Sequence, residues 1–130
     1  MDILQPKAWA RPKGFSNGIA AAGQTVAVAG QIGWNPETET VETDDFAAQC
    51  RQALMNVRTV LAEAGAAPEH LVRLNWYVTD KQEYLAGARE VGAAYREVMG
   101  KHFPAMTLVQ VVALVEDRAK VEIEATAILP

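Results

Sequence analysis

Little in this 130-residue chain could serve as a staple, an anchor or a grip on nucleic acid. There is one cysteine, Cys50, so no internal disulfide can form, and the lone thiol points weakly to a reducing compartment. No apolar run reaches membrane-spanning length, and the opening "MDILQPKAWARPKGFSNG" lacks the apolar stretch of a secretion signal. A cytoplasmic protein with no membrane partner is expected. Basic runs are also absent and the net charge is −4, so no nucleic-acid partner is expected. Only two histidines occur, His70 and His102, with no third ligand at useful spacing, so no metal is expected. "GAREVG" lies inside a helical pattern and does not follow a strand directly, so it does not read as a phosphate loop, and no cofactor is expected. With no repeat or biased segment, residues 1–130 read as one domain. What remains is half hydrophobic and 22% charged, an ordinary globular balance. At this length about two-thirds of the unfolded surface is buried on folding, enough for a core without cross-links.

Periodicity divides that core into elements. "TVAVAGQI" (25–32) alternates and stops at Gly33, which reads as a strand, and "GFSNGIAAAGQ" before it reads as another ending in a turn. "NPETETV" is turn material. Phe46, Cys50, Ala53, Leu54, Val57 and Leu61 then fall on one helical face. Asp44 or Asp45 is placed to cap this helix and Gly65 to stop it. "HLVRLNWYVTD" (70–80) alternates, with Val72, Leu74, Trp76 and Val78 on one side and Arg73, Asn75 and Tyr77 on the other. Residues 81–100 return to helical period through Tyr84, Ala88, Val91, Tyr95 and Val98. Two strands, about 105–115 and 119–128, complete the order ββαβαββ, an α+β two-layer sandwich with two helices on one sheet face. "MTLVQVVALV" is apolar on both sides, which two helices alone cannot cover, so a second subunit is expected over the other face.

"VAGQIGWNPET", "FAAQCRQALMNVRTVLAEAGA", "LVRLNWYVTD" and "FPAMTLVQVVAL…KVEIEATA" together resemble the RidA family (YjgF-type, L-PSP), from about residue 14 to 127. The resemblance implies a chorismate-mutase-like fold, a homotrimer with an inner barrel, and small-molecule clefts between subunits. It also implies hydrolysis of reactive enamines and imines to ketoacids and ammonia, although some members carry an endoribonuclease label. Active deaminases of the family place an arginine after "PA" to hold the substrate carboxylate; here that position is Met106. The family's tyrosine near the first strand corresponds to Phe15, its serine before "GQI" to Ala29, and its water-orienting carboxylate to Glu122.

The chemistry of these replacements is direct. A guanidinium binds a carboxylate through two parallel hydrogen bonds, and a thioether cannot. Met106 with Phe15 and Ala29 therefore either shapes a cleft for a larger, more apolar ligand or simply packs at an interface. Backbone N–H groups, Arg73 or Arg118 are candidate anchors for a substrate carboxylate. Glu122 and Glu124 lie two apart on one strand, roughly 7 Å by the strand rise. Such a pair can hold one raised pKa for acid–base work, though alternating polar positions also suit a solvent-facing strand. Trp34, beside a turn, is a candidate for pocket, interface or packing. Trp76, Tyr84, Tyr95 and Cys50 fit buried faces. The expected function is a small-molecule hydrolase with Glu122 as its catalytic carboxylate; the alternatives are a non-catalytic binding trimer and an RNA-cleaving enzyme.

Overall fold

The computed structural model describes all 130 residues, Met1 to Pro130. Strands β1 (Asp2–Leu4) and β2 (Gly18–Ala20) pair antiparallel in a small sheet of their own. The main sheet has the order β3-β6-β4-β5, built from β3 (Gln24–Ile32), β4 (Leu71–Val78), β5 (Ala105–Gln110) and β6 (Val121–Leu129). Helices α1 (Phe46–Glu63), α2 (Lys81–Ala86) and α3 (Ala88–Met99) complete the chain. The α+β expectation holds, with three helices where two were expected. The periodic stretch 81–100 is interrupted at Gly87, whose N–H caps the end of α2 at Glu83 O while Gly87 itself leads into α3.

The sequence explains where α1 begins and ends. Asp45 is extended and its carboxylate accepts from Ala48 N at 2.9 Å, relieving one of the unpaired donors of the first turn. Gly65 follows the last turn at φ +72°, a conformation costly for any residue with a side chain. Between these ends Cys50, Ala53, Leu54, Val57 and Leu61 are wholly buried against the sheet. Each large aliphatic side chain there contributes roughly 1.5–3 kcal/mol relative to exposure.

β4 and β5 run parallel while every other main-sheet pair is antiparallel. Parallel neighbours cannot be joined by a hairpin, so the chain leaves the sheet after β4, forms α2 and α3, and returns as β5. The core lies between this crossover, α1 and one sheet face: Val28, Leu74, Trp76, Val78, Val121, Ile123 and Ala125 are all buried. A register shift between Leu71 and Arg73 brings Leu71 into the core, where strict alternation predicted Val72.

The last apolar stretch departs from expectation. β5 ends at Gln110, and residues 111–120 form a loop that leads to β6. Val109 is 42% exposed, and Val112 and Val115 are fully exposed. Nothing within one chain covers Val112, Val115 or the sheet face opposite the helices.

Candidate functional site

The crossover leaves a cleft of about 460 Å³ between β5 and the helices. Nine of its thirteen lining residues are hydrophobic. Met106 and Leu108 enter from β5, opposite Leu74 and Trp76 of β4, and all four lie on the helix side of the sheet. Tyr84, Ala88 and Gly92 enter from α2 and α3. Phe15 is brought in by Ser16, which bridges to Ala105 and donates from its backbone N–H to Pro104 O at 3.0 Å. Tyr95 forms a wall: its ring stacks on Phe103 with centroids 5.3 Å apart, and its hydroxyl donates to His102 O at 2.6 Å. Burial pushes the Tyr95 hydroxyl well above the ordinary phenol range. Trp76 is 3% exposed, as expected of core, but it also lines the cleft, and its Nε1–H has no acceptor.

Glu122 lies elsewhere. It pairs in register with Tyr77 of β4 and Ile32 of β3, and its side chain projects from the sheet face opposite the helices. β3 bulges between Val28 and Gln31, carrying one residue more than β6 does across the same interval. Gly30 sits in this bulge, and the Glu122 carboxylate lies directly over it. A Cβ at position 30 would come within 2.8 Å of Glu122 Cδ and closer still to one carboxylate oxygen. Ala29 occupies the same bulge and is exposed. Bulges of this kind re-aim side chains beside functional sites.

Two carboxylates, two environments result. Glu124 Oε1 accepts from Tyr77 Oη at 2.6 Å and from Asn75 Nδ2 at 3.0 Å. Those bonds, Tyr77's first, hold the Glu124 carboxyl below its usual pKa, and the same bond holds the Tyr77 hydroxyl above its own. Glu124 is therefore not the proton-holding member of the pair, because its neighbours keep it as an anion. Glu122 receives no hydrogen bond and no ion pair from the chain, and is half-buried with its lone pairs free.

The remaining candidates are dispersed. Trp34 packs against the small cluster of Ile32, Val41 and Ala119, away from the cleft. Arg118 is occupied by Asp44 at 3.0 Å and by Val41 O. Arg73 is exposed and neighbours Asn75 Oδ1 at 3.5 Å on the open face. Cys50 is wholly buried in the core, and no three His, Cys, Asp or Glu side chains gather to hold a metal ion. Lys13 and Arg96, which line the cleft, were not singled out in the sequence. Arg96 reads there as the polar side of a helix, and nothing local marks Lys13.

The chain is thus an α+β sandwich with an apolar cleft on its helix face and, on the other sheet face, a carboxylate seated over a bulge glycine. The family model described as "Endoribonuclease L-PSP" matches residues 6–129. The chain is 36% identical over 109 residues to the 2-iminobutanoate/2-iminopropanoate deaminase of Escherichia coli K12, covering 82% of this chain and 80% of that protein. Among solved structures, YyfB of Yersinia pestis, a Rid-family protein of unknown function, superposes with a TM-score of 0.85 at 34% identity over 98% of both chains. Escherichia coli TdcF, solved with bound serine, superposes at 0.72 with 26% identity over the full length of both. The chain belongs to the RidA (YjgF, L-PSP) family and has its chorismate-mutase-like fold. No helix is long and apolar enough to cross a membrane.

Proposed function

We propose that this protein is a hydrolase that deaminates a reactive enamine or imine, working as a homotrimer with a composite site. Its likeness to an iminobutanoate deaminase supports the reaction class. The observation that carries the residue assignment is Glu122, a carboxylate seated over Gly30 with no partner of its own. In the reaction, Glu122 accepts a proton as the water oxygen bonds to the imine carbon and the C=N π electrons move to nitrogen. Glu122 returns that proton to the nitrogen to give the carbinolamine, which then collapses: its hydroxyl gives up its proton as C=O forms, the C–N bond breaks, the nitrogen takes that second proton, and ketone and ammonia leave.

Phe15 and Met106 line a cleft on one sheet face, whereas Glu122 and Ala29 occupy the other. A site using all four needs two chains. The uncovered sheet face and the exposed Val109, Val112 and Val115 favour such an assembly, because apolar side chains left in solvent gain by burial against a second chain. Trp34, at the foot of β3, would flank the Ala29–Glu122 half.

Ammonia release from freshly generated 2-aminoacrylate and from larger imines tests the proposal, together with molar mass in solution. Wild type is expected to accelerate release as a trimer, and Glu122→Gln to lose about 10²- to 10⁴-fold. Full activity in Glu122→Gln would remove the mechanism, and a monomer with full activity would remove the composite site.

One observation favours a second reading, a binding trimer without turnover: the position that holds an arginine in active deaminases is a thioether. That reading expects ligand-dependent thermal stabilisation without ammonia release.

A further inference from the structure

The cleft has an unequal set of polar groups. Its charged lining residues are Lys13 and Arg96, and no carboxylate lines it. Neither cation is engaged: the three ion pairs of the chain are Arg51–Glu97, Arg118–Asp44 and Lys120–Glu83. Neither side chain donates a hydrogen bond within the chain. The Trp76 Nε1–H is a third donor without an acceptor. Two phenols also line the cleft, Tyr84 and Tyr95, and the Tyr95 hydroxyl directs its proton to His102 O. The adjoining hollow, which shares Phe15 and Phe103 with the cleft, adds Arg11 and Lys101 and again no carboxylate. Four of the twelve Lys and Arg side chains of a protein with net charge −4 are thus divided between the apolar cleft and the more polar hollow beside it.

Arg96 is the best placed of them. It stands one helical turn beyond Gly92 on α3, and its Nη1 lies 3.5 Å from where a Cβ at position 92 would be. The guanidinium therefore folds back along the helix over the glycine, towards the apolar floor, where a larger side chain at 92 would crowd it. Arg96 itself is exposed, so an anion paired with it stays at the rim and avoids the full cost of desolvation. The interior behind it is lined by Met106, Leu108, Phe103, Val91 and Phe15. Its volume corresponds to roughly fifteen waters at about 30 Å³ each, far more than a three-carbon acid displaces.

We propose that this cleft selects a 2-imino acid, and its 2-oxo acid product, carrying a branched or aromatic apolar side chain, and that Arg96 from the helix holds the carboxylate in place of a residue at position 106. Lys13 adds charge at the rim. The side chain of the ligand lies against Met106 and Phe15, and the carboxylate points out to α3. The proposal names the substrate class of the site described above and rests on that reading for the reaction, but not for binding.

Binding of unreactive 2-oxo acids, measured by calorimetry, separates the two. Phenylpyruvate and 4-methyl-2-oxopentanoate are expected to bind at least tenfold tighter than pyruvate, and the methyl ester of phenylpyruvate to lose that affinity. Arg96→Gln should weaken phenylpyruvate by about tenfold to a hundredfold, the effect of losing a charge-assisted pair, with Arg96→Lys recovering part of it. Because Arg96 is exposed, both variants should melt as wild type does, which the same preparations report. Unchanged affinity in Arg96→Gln, no preference for the apolar acids, or no binding of any 2-oxo acid would overturn the proposal. Imine hydrolysis is scored separately on the same variants. Selective, Arg96-dependent binding without ammonia release sustains the ligand class and removes the deaminase. Ammonia release with a KM indifferent to Arg96→Gln does the reverse.

Discussion

Replacing Gly30 by alanine separates the chemistry proposed for Glu122 from the stability of the sheet that carries it. The backbone at residue 30 does not adopt the left-handed region, so alanine is conformationally acceptable there. Exchanging glycine for alanine within a strand is itself favourable by roughly 0.5–1 kcal/mol. The three atoms it would meet first all belong to Glu122: the new methyl would sit 2.8 Å from its Cδ and 2.9 Å from its Cγ, where ordinary contact begins near 3.4 Å. One carboxylate oxygen lies closer still, so the carboxylate must retreat by about 1 Å, through rotation of a flexible side chain. Such a retreat costs little in folding. A displacement of about 1 Å at a reacting group, however, can cost 10²-fold in rate. Gly30→Ala is thus expected to keep its melting temperature within a few degrees of wild type while ammonia release falls about tenfold to a hundredfold. Melting curves and initial rates on one preparation check both halves. Full activity in Gly30→Ala would show that the Glu122 position does not matter to turnover, and a collapse in melting temperature would show that the contact does not yield as its geometry requires.

Other perturbations probe the frame. Gln49 is wholly buried and joins three backbone groups: its Nε2 donates to Thr43 O and Arg118 O, and its Oε1 accepts from Lys120 N. Gln49→Leu strands all three and should cost about 3–6 kcal/mol at about 1–3 each, partly relieved by water, a large share of the ~6–20 kcal/mol expected for this length; a loss under about 1 kcal/mol in denaturant titration would refute the accounting. Burial, with the negative charges of Asp45 and Glu83, pushes the Cys50 thiol up to about 12, so it should resist a disulfide reagent at pH 8 in the native protein and react at once in denaturant. Tyr77→Phe should raise the Glu124 pKa towards the ordinary carboxylate value, as followed by carboxyl NMR. Because the native pKa is depressed, Glu124 contributes stability above its unfolded pKa, near 4.3, that is lost as pH falls through the native value. The gap between wild type and variant should therefore be present at pH 7 and shrink in acid, and a gap that widens there would contradict the assignment.

Local signals made most of the frame readable. Asp45, Gly65 and the Phe46–Leu61 face mark α1 because caps and period act within a few residues. The break at Gly87 was hidden because the apolar period runs on from Tyr84 through Ala88 to Val91, and a single glycine within a helical pattern does not by itself announce a boundary. The length of β5 was overread because Val112 and Val115 carry strand propensity, which only packing can reward, and one chain offers them none. Candidate residues could be named from the sequence, but not how they are arranged. Met106 and Glu122 were both named, yet the side of the sheet each occupies depends on registers of β5 and β6 against β4, which are set by tertiary pairing. Arg96 escaped notice because an arginine on the outer side of a helix has no distinguishing pattern until the glycine beneath it and the cleft beside it are seen together.

Strand β4 carries a consequence for how such a protein can change. Trp76 borders the cleft and its immediate neighbour Tyr77 holds Glu124 on the reverse side, so adjacent letters of the sequence belong to different environments. Insertion or loss of one residue in this strand would exchange the two sets wholesale, turning Trp76 outward and Tyr77 inward. The strand's length is thereby frozen, while its identities remain free one parity at a time. Divergence in what is bound and in what lies against the opposite face can proceed independently, by substitution alone, along the same eight residues.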